Sequence, residues 1–286
     1  MFHFMLEDII FGSITLPGEI FRVLIALIGT GVATYYDVYN NKNIPDNVLY
    51  AFLGIAFLVN LVFYDETLFL FSLGLALFFS AIGYLFYRVG QLGAADVFVL
   101  ASVMLLLPIH PSFVGMTFNI PFIFSVIVFS GVLFALYVLF YFGYKLYRSE
   151  AKPNWIFALM VIPYLLFAYI YVNSFLFSPV YFAFITILLA STIFFLMFKK
   201  SLNMVLSEPM PVSKVEPEDV FALEVMNKDL VERYKIPRVA TREELERLKK
   251  TKIEEVYVYT KLPPFIPFLL AGMIFSLLFA NSLLLL

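Results

Sequence analysis

Two aspartates, Asp37 and Asp96, stand at the mouths of apolar runs. Asp37 closes the run from Ile20 to Tyr36, and Asp96 opens the run from Val97 to Leu107. A lone carboxylate in a membrane segment costs about 2.5–3.5 kcal/mol at a helix centre on insertion scales, so each marks a candidate site. Two carboxylates brought close together cannot both stay ionised cheaply, so one keeps a proton. The ionised partner is then a general base for a water, and the protonated one polarises a peptide carbonyl. Such a pair titrates as a unit, so the spacing assigns no individual roles. Gly93, Ala94 and Ala95 precede Asp96 and leave the backbone bare enough for an extended peptide to lie against it.

Each aspartate also has a plainer reading. Asp37 can be a solvated helix end, and Asp96 can be a cap on the helix it opens. Asp46, after Ile44-Pro45, reads as a turn residue, and His110 in Pro108-Ile109-His110-Pro111 reads as a structural or solvated histidine. The chain has no cysteine, which excludes disulfides, thiolate zinc sites and cysteine nucleophiles. No Ser-His-Asp set, phosphate loop or His-Glu-x-x-His pattern is present, so the sequence implies neither a cofactor nor a metal.

The elements that hold the two acids are membrane segments. Of the 286 residues, 62% are hydrophobic and only 14% charged; the mean hydropathy is +0.93. Apolar runs recur at a length that crosses a hydrocarbon core of ~30 Å, and spans of that kind must be helices. The pattern predicts a polytopic α-helical membrane protein with about eight transmembrane helices: Ile20–Tyr36, Val48–Phe63, Leu68–Tyr87, Asp96–Leu107, Pro121–Tyr144, Trp155–Val172, Phe175–Phe198 and Phe265–Leu285. The fourth is short before Pro108; it either continues through His110 to Phe118 or stops within the bilayer. Phe2–Ile14 reads as an interfacial piece, and Glu7 and Asp8 occupy the place of a signal peptide's basic region.

Between positions 199 and 262 the composition reverses, with 13 of the 19 basic and 12 of the 21 acidic residues. This segment predicts a small α/β module inserted before the last helix, so the chain divides into 1–198, 199–262 and 263–286. Thr241-Arg242-Glu243-Glu244 reads as a capping box opening a helix, and Ile253–Tyr259 alternates as a strand. Phe221–Val225 is a second strand candidate. The mixed charges form an ordinary solvated surface and imply no nucleic-acid partner. Lys42, Arg88, Lys145, Arg148, Lys152, Lys199 and Lys200 fall on one side of eight alternating spans, and Arg22 alone falls near the other. By the positive-inside rule the first side is cytoplasmic, with Asp37, Asp96 and the polar module all facing it.

With Tyr36-Asp37, a downstream Ile44-Pro45-Asp46, and Gly93-Ala94-Ala95-Asp96, the chain resembles the GxGD membrane aspartyl proteases. The archaeal type IV prepilin and preflagellin (prearchaellin) peptidases are the nearest branch. The end of the chain, with Leu262-Pro263-Pro264-Phe265-Ile266-Pro267-Phe268 entering the last span, is similar to theirs. The resemblance implies that Asp37 and Asp96 are the catalytic pair and that Gly93 is the first glycine of the motif. Ala95 stands in the place of the second. It implies as substrate a pilin-like or archaellin precursor with a short basic leader, cut at the cytoplasmic membrane face. The departures are a loop after Asp37 about one residue longer than usual, Phe98 where many members carry lysine, and two additional spans over 155–198. A presenilin-like or signal-peptide-peptidase-like protease is the alternative within the same chemistry, although no Pro-Ala-Leu tripeptide is present. A transporter moving protons or ions on the two aspartates is the alternative from another class. Oligomeric state is not legible.

Overall fold

The computed structural model describes residues 14–40, 43–115, 120–148, 151–251, 253–260 and 262–284. The Phe2–Ile14 piece, apart from its last residue, and Lys42 lie outside the described residues. Apolar runs in a medium without water must satisfy their backbone internally, and here they do so as helices. In chain order these are α1 (Glu19–Tyr39), α2 (Asp46–Val62), α3 (Glu66–Arg88), α4 (Ala94–Leu106) and α5 (Phe122–Arg148). After a 3₁₀ turn at Trp155–Met160 come α6 (Val161–Val172) and α7 (Pro179–Leu206), and α10 (Ile266–Leu284) ends the chain. Five helical stretches are long and apolar enough to cross a membrane: α1, α3, α5, Trp155–Val172 and α7. Asp46–Val62, Ala94–Leu106 and Ile266–Asn281 are shorter apolar helices. The protein is thus mostly helical and of membrane type.

The centre of the bundle is α4. It packs against α1, α2 and α3, and it is buried at Val99 and continuously from Ala101 to Leu106. Its 13 residues rise only about 20 Å at 1.5 Å each, less than a bilayer core. The helix therefore stops where water is scarce, and its last carbonyls need donors. Arg22 and Asn60 supply them. Arg22 Nη1 donates to Asn60 Oδ1 at 2.9 Å, to Leu106 O at 3.2 Å and to Leu105 O at 3.4 Å. Its Nε donates to Pro17 O at 2.8 Å, and its Nη2 to Phe63 O at the end of α2 at 3.3 Å. Asn60 Nδ2 adds a bond to Leu105 O at 2.7 Å. The sequence counted Arg22 as a charge near the far face. It is instead wholly buried and serves as a cap for two helix ends.

Beyond α4 the chain does not continue as helix. Leu107 to Pro111 is buried non-helical backbone, which membrane depth tolerates when protein surrounds it. His110 is buried there, Nδ1 against Ile120 O at 3.0 Å and Nε2 against Ser125 Oγ at 2.8 Å, in keeping with a structural histidine. Helix α10 lies along α5 so closely that a Cβ on Gly272 would strike the backbone of Val126 and Ser130 at 2.8 and 2.7 Å. The Trp155–Val172 stretch and α7 form a hairpin that joins the bundle through α5, and none of the former is buried.

Helix α7 runs eight residues past the boundary expected at 198 and leads straight into a strand, β1 (Ser207–Pro211). β1 pairs antiparallel with β2 (Glu255–Tyr259), in register from Ser207 opposite Tyr259 to Pro211 opposite Glu255. Pro209 and Pro211 lack N–H groups, which suits a strand of a two-stranded ribbon. Between them lie α8 (Lys228–Tyr234) and α9 (Arg242–Lys249). Thr241 Oγ1 accepts the Glu244 N–H at 3.3 Å, so the capping residue acts as its spacing predicts. The Phe221–Val225 candidate makes only single bridges, Phe221 to Val258 and, just before it, Val220 to Val239. Phe221, Leu248, Val256 and Val258 centre an apolar cluster separate from that of the bundle.

Candidate active site

Asp37 occupies the last turn of α1, inside the helix and not in the loop beyond it. The buried positions of α1 run Arg22, Val23, Ala26, Thr30, Ala33 and Asp37, at spacings of one to four residues that keep one stripe facing inward. Asp37 is therefore aimed into the bundle by helical periodicity. Asp96 is the third residue of α4, after Ala94 and Ala95, and is buried too. Because α1 packs on α4, the two carboxylates are close enough for their charges to interact.

Each acid holds one backbone N–H. Asp96 Oδ2 accepts from Gly93 N at 2.9 Å, which is the acidic half of a capping box. Asp37 Oδ2 accepts from Ile266 N, the first residue of α10, at 3.1 Å. So the plainer reading holds for Asp96, which caps its own helix, but not for Asp37, which is buried instead of being a solvated helix end and caps another helix. Gly93 is exposed, with Ala94 and Ala95 half-buried, so the approach to Asp96 presents no bulky side chain. A Cβ on Gly93 would lie 3.1 Å from Asp96 Oδ2. Phe98, where the resembled family often has lysine, packs edge-on to Tyr50 at 5.5 Å between ring centres.

The polar segment reaches this end of the bundle. Gly90 has a left-handed φ of +69°, and a Cβ there would meet Val220 at 2.9 Å and Arg238 at 3.1 Å. Beside it, Tyr87 of α3 and Glu218 of the polar segment interact electrostatically. Burial first, then the charge of Asp46, push the Glu218 carboxyl above the usual range, and the Tyr87 hydroxyl pulls the other way. Asp46 sits in the first turn of α2 and is not buried with the pair. No group of His, Asp and Glu that could hold a metal ion occurs among the described residues.

Sequence reasoning missed the Ile266 N–H, although prolines on both sides of Phe265-Ile266 marked an unusual helix entry. It also missed the contact of the polar segment with Gly90, which no local pattern encodes. No family model, curated protein or solved structure matches the chain. The geometry of the site stands without relatives to interpret it.

Proposed function

We propose that the protein is a membrane aspartyl endopeptidase that uses Asp37 and Asp96 as a water-activating pair. The observation that carries the reading is that two buried carboxylates from distant parts of the chain sit on helices packed against each other, with the exposed Gly93 beside one of them. In this reading the ionised carboxylate takes a proton from water while the water oxygen bonds to the scissile carbonyl carbon. The protonated carboxyl gives its proton to the carbonyl oxygen, and a tetrahedral diol results. Proton return through the pair to the nitrogen breaks the C–N bond and releases amine and acid.

The resemblance to GxGD-type prepilin and preflagellin peptidases names the substrate class: a pilin-like or archaellin precursor with a short basic leader. The enzyme would be a multi-pass protein of the cell membrane with about eight crossings, in contact with lipid throughout. The small α/β module and the catalytic pair would face the cytoplasm, where such a leader lies. The test is cleavage of a pilin precursor in membranes by the wild type, Asp37→Asn and Asp96→Asn at matched protein levels. Each variant is expected to lose about 100-fold or more, the contribution of general acid–base catalysis. Retained cleavage in both variants would overturn the reading.

One observation favours a second reading. The Thr30 and Thr34 hydroxyls, two turns and one turn before Asp37 on α1, are buried without a hydrogen-bond partner in the structure. A row of polar groups leading away from an acid also suits proton or ion movement. Proton flux into proteoliposomes, abolished by Asp37→Asn with no precursor cleaved by wild type, is the result that would select the transporter.

A further inference from the structure

We infer that the N-terminus of the last helix is part of the catalytic apparatus, with the Ile266 backbone N–H acting as the positioning group for Asp37. This rests on the aspartyl-protease reading. The first four N–H groups of any helix lack partners inside it. In α10 each is accounted for. Position 267 is proline and has no N–H, while Phe268 N and Leu269 N reach back to Phe265 O at 3.0 and 3.1 Å. That leaves Ile266 N, and it points to Asp37 Oδ2 at 3.1 Å across 229 residues of sequence. The contact is buried, and the Ile266 side chain is fully enclosed, so the donor cannot swing away with a surface loop.

The positive end of the α10 dipole thereby faces the carboxylate. The helix itself is held by its close approach to α5 at Gly272. Asp37 is consequently oriented from outside its own helix, whereas Asp96 is oriented by Gly93 from the turn before it. Proline entries make the arrangement possible: Pro263 and Pro264 bring the chain in extended, and Pro267 is tolerated in a first helical turn, where its missing N–H costs little.

The same property supplies the test. Ile266→Pro deletes the single N–H at the first helical position, where proline is well accepted. An α-hydroxy acid analogue of isoleucine at 266 replaces the N–H by an ester oxygen and keeps the side chain. Precursor cleavage is measured on full-length protein in membranes, with Asp37→Asn and Asp96→Asn alongside. The proline and ester variants are expected to lose about 10- to 100-fold in kcat with KM unchanged, as for a misplaced reacting group. Wild-type kcat in the ester variant, with both aspartate variants inactive, would overturn the positioning role and leave the protease reading standing. Active Asp37→Asn and Asp96→Asn variants would instead remove the protease reading itself. Should the proline variant fail to accumulate, the ester variant decides.

Discussion

Asp96 Oδ2 takes the Gly93 N–H, and the glycine in turn leaves the room that the carboxylate occupies. A residue that ties off a helix end while facing an open approach is held in one rotamer, which is what a reacting group requires. Similar local logic operates at the surface of the polar segment. Glu224 Oε2 accepts from Arg238 Nη1 at 2.7 Å and from the Tyr259 hydroxyl at 3.1 Å. Burial alone would raise the Glu224 carboxyl, but the hydrogen bond and charge of Arg238, with the Tyr259 hydroxyl, outweigh it and hold it below its usual value. Burial and the Glu224 charge together push the Tyr259 phenol up to about 12. A depressed carboxylate stabilises the fold above its unfolded value and stops doing so as the pH falls through the folded one. The unfolded reference is 4.5, so the contribution is expected to be complete at neutral pH and to disappear below that value. Urea titration of the full protein in detergent, followed by tyrosine fluorescence, checks this: wild type should lose more resistance between pH 7 and pH 3 than Glu224→Gln. Equal losses would show that the cluster carries no linked proton.

At the scale of helices, the bundle depends on ending α4 inside an apolar medium, and Arg22 is the residue that makes this possible. Removing it leaves the carbonyls of Pro17, Phe63 and Leu106 without the donor that reaches them. A buried acceptor left unsatisfied costs about 1–3 kcal/mol, so Arg22→Met should lose about 3 kcal/mol or more. Arg22→Lys should recover less than half of that, because an ammonium cannot reproduce the planar fork of a guanidinium. Unfolding in mixed micelles by graded dodecyl sulfate reads both; an unchanged midpoint for Arg22→Met would mean that the carbonyls find other donors. The helices themselves were legible, because runs of Leu, Phe and Ile flanked by Asp65-Glu66 or Asn173-Ser174 admit few other forms. Their ends were less so. Asp37 is polar and follows an apolar run, so it reads as the stop of α1, yet helical phase carries it inward and the helix continues to Tyr39. Lys199-Lys200 likewise reads as a stop, but α7 simply leaves the apolar region there and continues to Leu206. Strand β1 was invisible for a different reason. Ser207-Glu208-Pro209-Met210-Pro211 has no strand pattern of its own and pairs only because β2 is delivered beside it.

Taken whole, the molecule is a bundle of α1 to α5 with α10, carrying one hairpin outside and one polar segment at the end that holds Asp37 and Asp96. Contacts at Gly90 and Tyr87 bring the polar segment to that end, while Glu19 of α1 receives Ser112 N at 2.7 Å at the other. Chain direction then sets a strict bookkeeping of sides. Helix α5 ends at Arg148, and the polar segment begins after α7, so the hairpin between them must return the chain to the side it left. It can do so by crossing twice or by lying along one face. Eight crossings need the former, and the total drops to six if the latter holds. Since the chain lacks cysteine, single introduced thiols report sides without a background. Phe175, at the hairpin tip, is 96% exposed, and Lys228 is exposed in the polar segment. In right-side-out vesicles an impermeant maleimide is expected to label Phe175→Cys and not Lys228→Cys, with the reverse in inverted vesicles. Labelling of both from the same side would put the hairpin on the membrane surface and reduce the crossings to six. The two aspartates would be unmoved by that outcome, because they sit on α1 and α4, outside the hairpin. Labelling of Lys228→Cys from outside would be more serious: it would turn Asp37 and Asp96 away from the cytoplasm and overturn the proposal that they act on a cytoplasmic leader.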